Sequence, residues 1–512
     1  MSFADLISAV DSVIWSTPLV ALCLLAGVYF SLRTVFLQVR NIPDMLNQLR
    51  HGERSPDGVS SFQSLMMSLA GRVGMGNIGG VATAIAFGGP GAVFWMWAVA
   101  FLGASTSFVE CTLGQIYKEK DKDTGEYRGG PAYYFEKAYA HTKARGFFRG
   151  YAIAFAIVTV IAMSFFLPGV QSNGMAVAMN EAWDLPVWAV AIAAVILLAF
   201  IVIGGVKRIA NFAVYVVPIM AILYILLALA VFFVNFDQIG HVFGLIFSSA
   251  FGANSAFGGI LGAAISWGVK RGIYSNEAGQ GTGPHAAAAA EVSHPAKQGF
   301  VQAFAVYIDT LFVCSATAFI IISTNMYRVF DGADESAPTL YNGDLPTDTA
   351  VGPGFVQNGF DTLLPNGGPT FVAVALAFFA FTTIVAYYYM AETNLTYLLR
   401  RVRNGLLRRA LIRILQALLL VSVAYGAVTT TGAAWSLGDI GVGAMAWLNI
   451  LGIIVLQVPA LKAYKDYMRQ KRQGLDPEFD PRPLGIRNAT FWEDRADGRI
   501  TKGEAGEEVP VP

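Results

Sequence analysis

The sequence predicts an all-α integral membrane protein with eleven transmembrane helices: one N-terminal helix, then a five-plus-five inverted repeat that contains two broken helices. Hydrophobic residues make up 55% of the 512 residues and charged residues 14%, which is far more apolar than a soluble domain of this length needs. The apolar residues fall in runs of membrane-spanning length. Two of these runs are interrupted by glycines and polar residues, in matching places of the two repeats.

The apolar runs are each long enough to cross the hydrocarbon core as a helix of about twenty residues. They lie near residues 13–32, 62–88, 91–117, 151–172, 187–206, 212–235, 255–275, 299–324, 370–398, 411–431 and 440–461. The first run has no basic residues ahead of it and no small-residue cleavage site behind it, so we interpret it as a retained span rather than a signal peptide. The other ten form two sets of five.

This arrangement divides the chain into four regions. They are an N-terminal transmembrane helix and cytoplasmic linker at 1–61, a first repeat at 62–235, a second repeat at 236–462 and a cytoplasmic C-terminal tail at 463–512. Because five is an odd number, the second set enters the membrane from the opposite side. The acidic outer loop at 325–369 is predicted to be a solvated loop, with a lid or cation funnel as the alternative. The charged tail is predicted to be a partly ordered extension.

The distribution of basic residues predicts the orientation. If the N-terminus is outside, all but two of the 35 Lys and Arg residues lie in inward-facing loops or in the tail. The two exceptions are Arg328 in an outer loop and Arg72 inside a span. Since basic loops stay on the cytoplasmic side, we expect a multi-pass protein of the cell (inner) membrane, surrounded by the lipid bilayer, with its C-terminus in the cytoplasm.

The two interrupted runs predict a binding site. The first contains Gly71-Arg-Val-Gly-Met-Gly-Asn-Ile-Gly-Gly80, and the second continues through Ser275-Asn-Glu-Ala-Gly-Gln-Gly-Thr-Gly-Pro284. Unwound backbone at membrane depth is tolerated only where it lines a cavity or is buried in protein. Paired broken helices at corresponding positions indicate the midplane site of a secondary transporter. Close helix packing also favours glycine, but it does not explain Asn77 or Asn276-Glu277.

Four blocks occur in a specific order along the chain. They are Gly74-Met-Gly-Asn-Ile-Gly-Gly-Val-Ala82, Gly88-Gly-Pro-Gly-Ala-Val-Phe-Trp95, Arg271-Gly-Ile-Tyr-Ser-Asn-Glu-Ala-Gly279 and Phe379-Ala-Phe-Thr-Thr-Ile384. With these blocks the chain resembles the alanine or glycine:cation symporter family, which has the leucine-transporter fold, over roughly 60–462. The resemblance implies a sodium-coupled symporter that imports small neutral amino acids by alternating access. It also implies co-transported sodium, no organic cofactor and no nucleic-acid partner, and we expect a monomer.

The predicted substrate-binding residues combine physical reasoning with this resemblance. They are Met75, Gly76, Asn77, Gln171, Trp267, Gly268, Thr383 and Tyr387. The half-helix after a break points free N–H groups and a positive dipole end at an anion, so Met75, Gly76 and Asn77 are candidates for the substrate carboxylate. The other residues come from the resemblance. For two of them a plainer explanation stays open, because Gln171 could be a polar cap at the membrane surface and Trp267 a packing residue.

The predicted sodium ligands come from the resemblance alone. They are the carbonyl oxygens of Ala70, Val73 and Phe379 and the hydroxyl groups of Thr382 and Thr383. Together these atoms would form an all-oxygen shell, which suits a hard cation. Without the resemblance, adjacent threonines in a membrane helix are more often bonded to their own backbone, four residues back.

Some residues depart from the family pattern. Tyr387 stands where a tryptophan is common in the family. The smaller tyrosine predicts room in the binding pocket for serine, in addition to alanine and glycine. Lys270 stands where a small residue is usual and Gln280 where leucine is usual, and both lie toward the inner mouth. Arg72 and Glu277 flank the two breaks, so we expect an ion pair that braces the scaffold or gates the inner path, because unpaired charges are costly at this depth.

Two other functions are weighed against sodium symport. A proton-coupled carrier of the same fold would use a lysine from the fifth core span, but 212–235 contains no Lys. An enzyme would need converging catalytic side chains, and no Ser-His, His-rich or two-carboxylate arrangement is found. The spacing Gly74-x-Gly76-x-x-Gly79 matches a dinucleotide fingerprint, but it follows no predicted strand and is therefore rejected. The protein is not expected to be an enzyme.

Overall fold

The computed structural model describes residues 3–50, 53–55, 58–121, 124–202, 206–254, 257–500 and 504–505. It is mostly helical (75%). The helices of the first half are α1 (Phe3–Ile14), α2 (Thr17–Arg33), α3 (Leu37–Arg40), α4 (Ile42–Arg50), α5 (Ser61–Arg72), α6 (Val81–Gly88), α7 (Gly91–Ile116), α8 (Pro131–Ala138), α9 (Arg145–Ile161), α10 (Leu167–Trp183), α11 (Val187–Val202) and α12 (Val206–Val234).

The second half continues with another series of helices. They are α13 (Ile239–Ala250), α14 (Leu261–Asn276), α15 (Gly283–Ala289), α16 (Pro295–Val306), α17 (Ser315–Ser323), α18 (Pro353–Asp361), α19 (Gly368–Leu399), α20 (Gly405–Val428), α21 (Thr431–Arg472) and α22 (Thr490–Ala496). Three π-helical segments, Gly76–Gly80, Ala162–Phe166 and Tyr307–Cys314, and two 3₁₀ turns, Phe236–Gln238 and Gly258–Ile260, join some of these helices.

A helix lies in every range predicted to span the membrane, although 203–205, 255–256 and the tail at 501–503 and 506–512 lie outside the described residues. Seven helical stretches among the described residues are long and apolar enough to cross a membrane: Leu6–Arg33, Gly91–Ile116, Arg145–Trp183, Pro295–Ser323, Gly368–Leu399, Gly405–Val428 and Thr431–Arg472. The pair Pro218–Val234 and Phe236–Ala250, bent by 80°, makes an eighth if it is one span. The count of eleven and the inverted repeat stay predictions.

Two helical groups form the interior. Helix α7 packs against α14 and α16, and α10 packs against α19 and α20. Small residues allow the close approach of α14 to α7, because a Cβ at Gly272 of α14 would clash with a Val99 side-chain atom on α7. Helix α14 also packs against α6 and the Gly76–Gly80 turn, so the two interrupted segments lie beside each other.

The segment 325–369 is packed against the helices, which corrects the prediction of a solvated loop. Strands β4 (Arg328–Phe330) and β5 (Thr339–Asn342) pair antiparallel, and α18 follows them. Phe330 is buried and lies 5.9 Å from Phe87 of α6, between ring centroids. The turn 331–336 between the strands is exposed. Much of the segment therefore caps the end of the first broken helix.

Two further strand pairs are short. Strand β1 (Glu53–Arg54) pairs antiparallel with β6 (Glu504–Ala505), and β2 (Glu119–Lys120) pairs antiparallel with β3 (Tyr127–Arg128). The first pair joins the linker that precedes α5 to the C-terminal tail, although the two are far apart in sequence.

The C-terminal tail packs against the helix ends as far as Ile500, and the described part of the tail after it is Glu504–Ala505. Trp492 is 1% exposed, and its Nε1 donates to the Gln115 carbonyl oxygen at 2.9 Å. Arg495 Nη1 lies 2.6 Å from a carboxylate oxygen of Glu291. Burial raises the pKa of Glu291, but the charges of Lys118 and Arg495, together with hydrogen bonds from Ser55 and Tyr127, outweigh burial, so the pKa lies below its ordinary value of 4.5.

Candidate functional site

The first broken helix begins with a strong cap and ends abruptly. The Ser60 hydroxyl accepts from the backbone N–H of Gln63, whose side chain accepts from the Ser60 N–H in return, so the first turn of α5 is well satisfied. At the other end the backbone of Val73 is extended, with φ −79° and ψ 98°. The helix resumes as a π-helical turn at Gly76–Gly80. The carbonyl groups of the last turn of α5 therefore lack their usual helical donors.

Asn77 holds the break in place. Its Oδ1 accepts from the Gly74 N–H at 2.8 Å, and its Nδ2 donates to Asp309 Oδ1 at 2.6 Å. Asn77 and Asp309 are both fully buried. Asn77, which the close packing of glycines does not explain, thus joins the first break to a carboxylate on a different span.

The second break follows α14 and is held by carboxylates. Glu277 has a positive φ of 59°, and the two carboxylate oxygens of Glu110 accept from the N–H groups of Gly279 and Gly281 at 3.1 and 3.2 Å. Arg72 Nε lies 3.8 Å from Glu277 Oε2. The predicted Arg72–Glu277 pair is therefore confirmed, and it links the two breaks directly. It is buried on both sides, which favours bracing of the scaffold.

Thr383 brings the predicted sodium ligands together. Its hydroxyl oxygen lies 2.9 Å from the carbonyl oxygen of Ala70, 3.2 Å from that of Val73 and 2.8 Å from that of Phe379. A hydroxyl has one hydrogen to donate, so this cluster has more acceptors than donors. Thr382 donates to Phe379 O at 2.9 Å, within its own helix. The five predicted ligand residues are thus in one cluster between α5 and α19.

Gln171 lies beside this cluster and is no surface cap. It is 1% exposed, and its Oε1 accepts from the Met75 N–H at 2.8 Å. Its Nε2 is 3.4 Å from the hydroxyl of Tyr387 and 3.5 Å from that of Tyr274. The Gln171 amide oxygen therefore already accepts from the Met75 N–H, which is one of the groups predicted to bind the substrate carboxylate.

Two glycines are required by these close approaches. A Cβ at Gly74 would lie 2.6 Å from Thr383 Oγ1 and 2.7 Å from Gln171 Oε1, so a side chain there would separate the two groups. A Cβ at Gly76 would meet Tyr274 and Ser275 at 3.1 and 3.2 Å. The first break is thus packed directly against the last turn of α14.

Trp267 and Gly268 lie elsewhere on α14, about two turns before Tyr274. The Trp267 ring is 5.0 Å from that of Phe87, between centroids, and 5.1 Å from the guanidinium of Arg271. A Cβ at Gly268 would come within 2.5 Å of a backbone oxygen of α7. No described hydrogen bond joins either residue to Gln171 or Met75, so the structure does not bring them to the cluster, and their substrate role stays a prediction.

Three residues that the structure brings to the site were not among the predicted binding residues. Tyr274 and Ser275 belong to the Arg271–Gly279 block, and the signal was their place immediately before the second break. Asp309 was visible as a charged residue inside a span, where an ionisable group indicates function. Sequence reasoning could not connect Asp309 with Asn77, because their hydrogen bond depends on how helices that are distant in sequence pack together.

A charged and aromatic cluster lies on the other side of the break, around Gly80. Arg271 makes two hydrogen bonds to the carboxylate of Asp439, at 2.7 and 3.1 Å, and its guanidinium lies 4.0 Å from the ring centre of Trp435. Lys270 lies 2.8 Å from both Asp439 and Asp11. Lys270, which departs from the family pattern, therefore links α14 to α1.

Two helices unwound among apolar spans, with backbone groups and polar side chains gathered between them, define a membrane transporter of the secondary type. The chain belongs to the sodium:alanine symporter family, whose family model matches residues 1–481. The family assignment makes the protein an alanine:cation symporter rather than an enzyme.

Three relatives show how far the similarity extends. The chain is 55% identical over 490 residues to YrbD of Bacillus subtilis, covering 96% of this chain and 98% of that protein. It is 47% identical over 451 residues to the sodium/proton-dependent alanine carrier protein of Bacillus sp. (strain PS3), covering 88% and 97%. It is 35% identical over 477 residues to the sodium/alanine symporter AgcS of Methanococcus maripaludis, covering 92% and 99%.

Proposed function

We propose that the protein is a sodium-coupled symporter that imports alanine, glycine and serine by alternating access. The observation that carries this proposal is the oxygen cluster around Thr383, where one hydroxyl lies within 3.2 Å of three carbonyl oxygens at the end of an interrupted helix. The names of two relatives add a sodium/proton-dependent alanine carrier and a sodium/alanine symporter.

The chemistry of the cluster favours sodium over a proton. Its ligand atoms are the carbonyl oxygens of Ala70, Val73 and Phe379 and the hydroxyls of Thr382 and Thr383. None of these groups binds or releases a proton near neutral pH. Hard cations prefer oxygen ligands, and the dipole of the half-helix α5 directs negative potential at its C-terminal end towards the same point. Sodium is transported here as cargo and no organic cofactor is involved.

The substrate is proposed to bind next to Met75, outside the oxygen cluster around Thr383. Its carboxylate would accept from the N–H groups of Met75, Gly76 and Asn77 after Gln171 rotates away. Tyr387 would then limit the side chain, and its hydroxyl could bond a serine hydroxyl. The buried Gln171 amide is already in the position that a carboxylate would take, at 2.8 Å from the Met75 nitrogen. Trp267 and Gly268 would contribute to the wall if the outer part of α14 moves inward on closure.

The architecture proposed with this function is the one predicted from the sequence. Two inverted repeats, 62–235 and 236–462, rock around the breaks in a monomer. The protein lies in the cell (inner) membrane. Its N-terminus is outside and its C-terminus is in the cytoplasm. The basic residues support this orientation.

Uptake of labelled alanine into proteoliposomes tests the proposal. With one sodium ion per zwitterion, a tenfold inward sodium gradient supplies about 1.4 kcal/mol and 100 mV, inside negative, adds about 2.3 kcal/mol. These terms permit accumulation of roughly several hundredfold. Uptake that is unchanged when potassium replaces sodium would refute sodium coupling. Uptake that then follows an imposed pH gradient would establish the proton-coupled alternative.

A further inference from the structure

A cavity lies beside the predicted cytoplasmic end of α21, between this helix, the segment that joins α8 to α9, and the C-terminal tail. It encloses about 130 Å³, which is room for several water molecules and so for a group of several heavy atoms. Its basic side chains are Lys462 of α21, His141 of the joining segment and Arg487 of the tail. No Asp or Glu is among the described residues that line it. The charge of the cavity therefore favours an anion.

Two of the basic side chains keep donors free in their present contacts. Lys462 Nζ donates to the Leu484 carbonyl oxygen at 2.7 Å, which uses one of its three N–H groups. Asn488 Nδ2 donates to the Lys137 carbonyl oxygen at 3.0 Å and lies 3.3 Å from His141 Nδ1. Because Asn488 Nδ2 is a donor, His141 Nδ1 accepts from it and Nε2 carries the ring hydrogen. Both side chains can therefore donate to a bound anion.

Arg487 supplies the third group, and it is held in place by its neighbours in the tail. Ile486 is buried, and Asn488 is bonded to Lys137 of α8. Arg487 itself is exposed, and no hydrogen bond or ion pair involves it in the part of the chain that the structure describes. A guanidinium group donates two parallel N–H groups to a phosphate. Arg487 is therefore positioned to bind a phosphate group at the mouth of the cavity.

An apolar strip on α21 leads to this cavity from the membrane. The strip consists of Leu451, Val455 and Val458, which are 46%, 53% and 51% exposed and lie on one face of the helix. Lys462 follows one turn later on the same face, as the first charged residue after the apolar run 440–461. The 42 residues of α21 span about 63 Å, roughly twice the hydrocarbon core. The apolar strip therefore faces lipid, and Lys462 lies where the headgroups begin.

We propose that the cavity binds the headgroup of an anionic phospholipid, with the phosphate against Lys462, His141 and Arg487 and an acyl chain along the apolar strip. Basic residues at the membrane surface attract anionic lipids. A soluble phosphate ester shares the headgroup chemistry, but it makes no use of the apolar strip. The bound lipid links the C-terminal tail to α21. This site goes beyond the proposed function, because it requires neither sodium nor an amino acid.

Lipid binding to the detergent-purified, full-length protein, measured by native mass spectrometry, tests this site. Phosphatidylglycerol and phosphatidylcholine with the same acyl chains are compared, because both carry a phosphate and acyl chains but only the first has a net negative charge. We expect the wild type to bind phosphatidylglycerol at least about tenfold more tightly than phosphatidylcholine. Arg487→Gln removes one charge and should weaken phosphatidylglycerol binding about fivefold, with little change for phosphatidylcholine.

Matched variants and a soluble competitor separate the cavity from the overall charge of the protein. Arg487→Lys keeps the charge and should keep most of the preference for phosphatidylglycerol. Arg409→Gln removes the charge of an exposed arginine of α20, which is predicted to lie on the same side of the membrane but does not line the cavity, so it should bind both lipids like the wild type. Glycerol 3-phosphate should displace phosphatidylglycerol only at a concentration at least about a hundredfold higher, because each buried methylene of the lipid adds affinity.

Four outcomes would overturn the lipid site. They are equal affinity of the wild type for the two lipids, wild-type binding by Arg487→Gln, an equal loss of binding in Arg409→Gln, and displacement by glycerol 3-phosphate at the concentration of the lipid itself. The last result would make the cavity a site for soluble phosphate esters. Because the measurement uses neither sodium nor alanine, these results leave the proposed function intact. A failure of sodium-driven uptake would, in turn, leave the lipid site intact.

Discussion

Replacing Thr383 by valine removes one hydroxyl and keeps the side-chain volume, so it isolates the role of the oxygen cluster. The hydroxyl lies within 3.2 Å of three carbonyl oxygens from two helices. A hydrogen bond or ligand contact to a charged group contributes about 1.5–3 kcal/mol. The loss should therefore raise the half-saturating sodium concentration for alanine uptake by roughly ten- to a hundredfold.

Two matched variants separate this effect from a loss of packing. Thr382→Val removes a hydroxyl that reaches only the Phe379 carbonyl of its own helix, at 2.9 Å, so its effect should be smaller than that of Thr383→Val. Thr159→Val removes a buried hydroxyl that bonds the Phe155 carbonyl oxygen on α9, at 2.9 Å. It should leave the sodium dependence unchanged.

The measurement is a sodium titration of initial alanine uptake in proteoliposomes, with thermal unfolding in detergent as the control for folding. The reasoning predicts a shift in sodium affinity at unchanged protein stability. If Thr383→Val titrates with sodium like the wild type, the cation does not bind in the cluster. The contact between α5 and α19 would then be structural.

Three further outcomes are expected. Tyr387→Trp should narrow the competition profile by excluding serine, because it fills the pocket and removes a hydroxyl; an unchanged profile across glycine, alanine, serine and threonine would remove Tyr387 from the pocket wall. Arg271→Gln should lower stability by about 1.5–3 kcal/mol, because it removes charged hydrogen bonds to the buried Asp439 carboxylate, which keeps Lys270 as its basic partner; in thermal unfolding, the loss in Arg271→Gln with Asp439→Asn should be smaller than the sum of the two single losses. Arg495→Gln should lower the melting temperature most at neutral pH. Because the folded-state pKa of Glu291 is held below its ordinary value of 4.5, the ion pair of Glu291 with Arg495 stabilises the fold at pH values above 4.5. This stabilisation is lost as the pH falls through the lower, folded-state pKa. A difference in stability between the variant and the wild type that does not shrink in acid would contradict the prediction.

Much of the site could be placed from the sequence because it lies within short, unusual segments. The glycines and Asn77 marked the first break, and Thr382 and Thr383 were found as neighbours in one apolar run. The structure brings Met75, Gln171 and Tyr387 to one place, and their role in substrate binding stays a prediction. Trp267 and Gly268 were assigned to the same pocket, but they lie about two turns before Tyr274 on α14. The sequence does not reveal how far one helix is shifted along its neighbour.

The sequence by itself determined which segments are apolar helices and where two of them unwind. Both are local properties, since each residue contributes its own transfer free energy and each glycine its own backbone freedom. The tertiary structure decided which distant groups meet. Asp309 reaches Asn77 across 232 positions of the chain, and Arg495 reaches Glu291 across 204. Such contacts depend on how helices cross and rotate against one another, and crossing is set by the packing of all their side chains together.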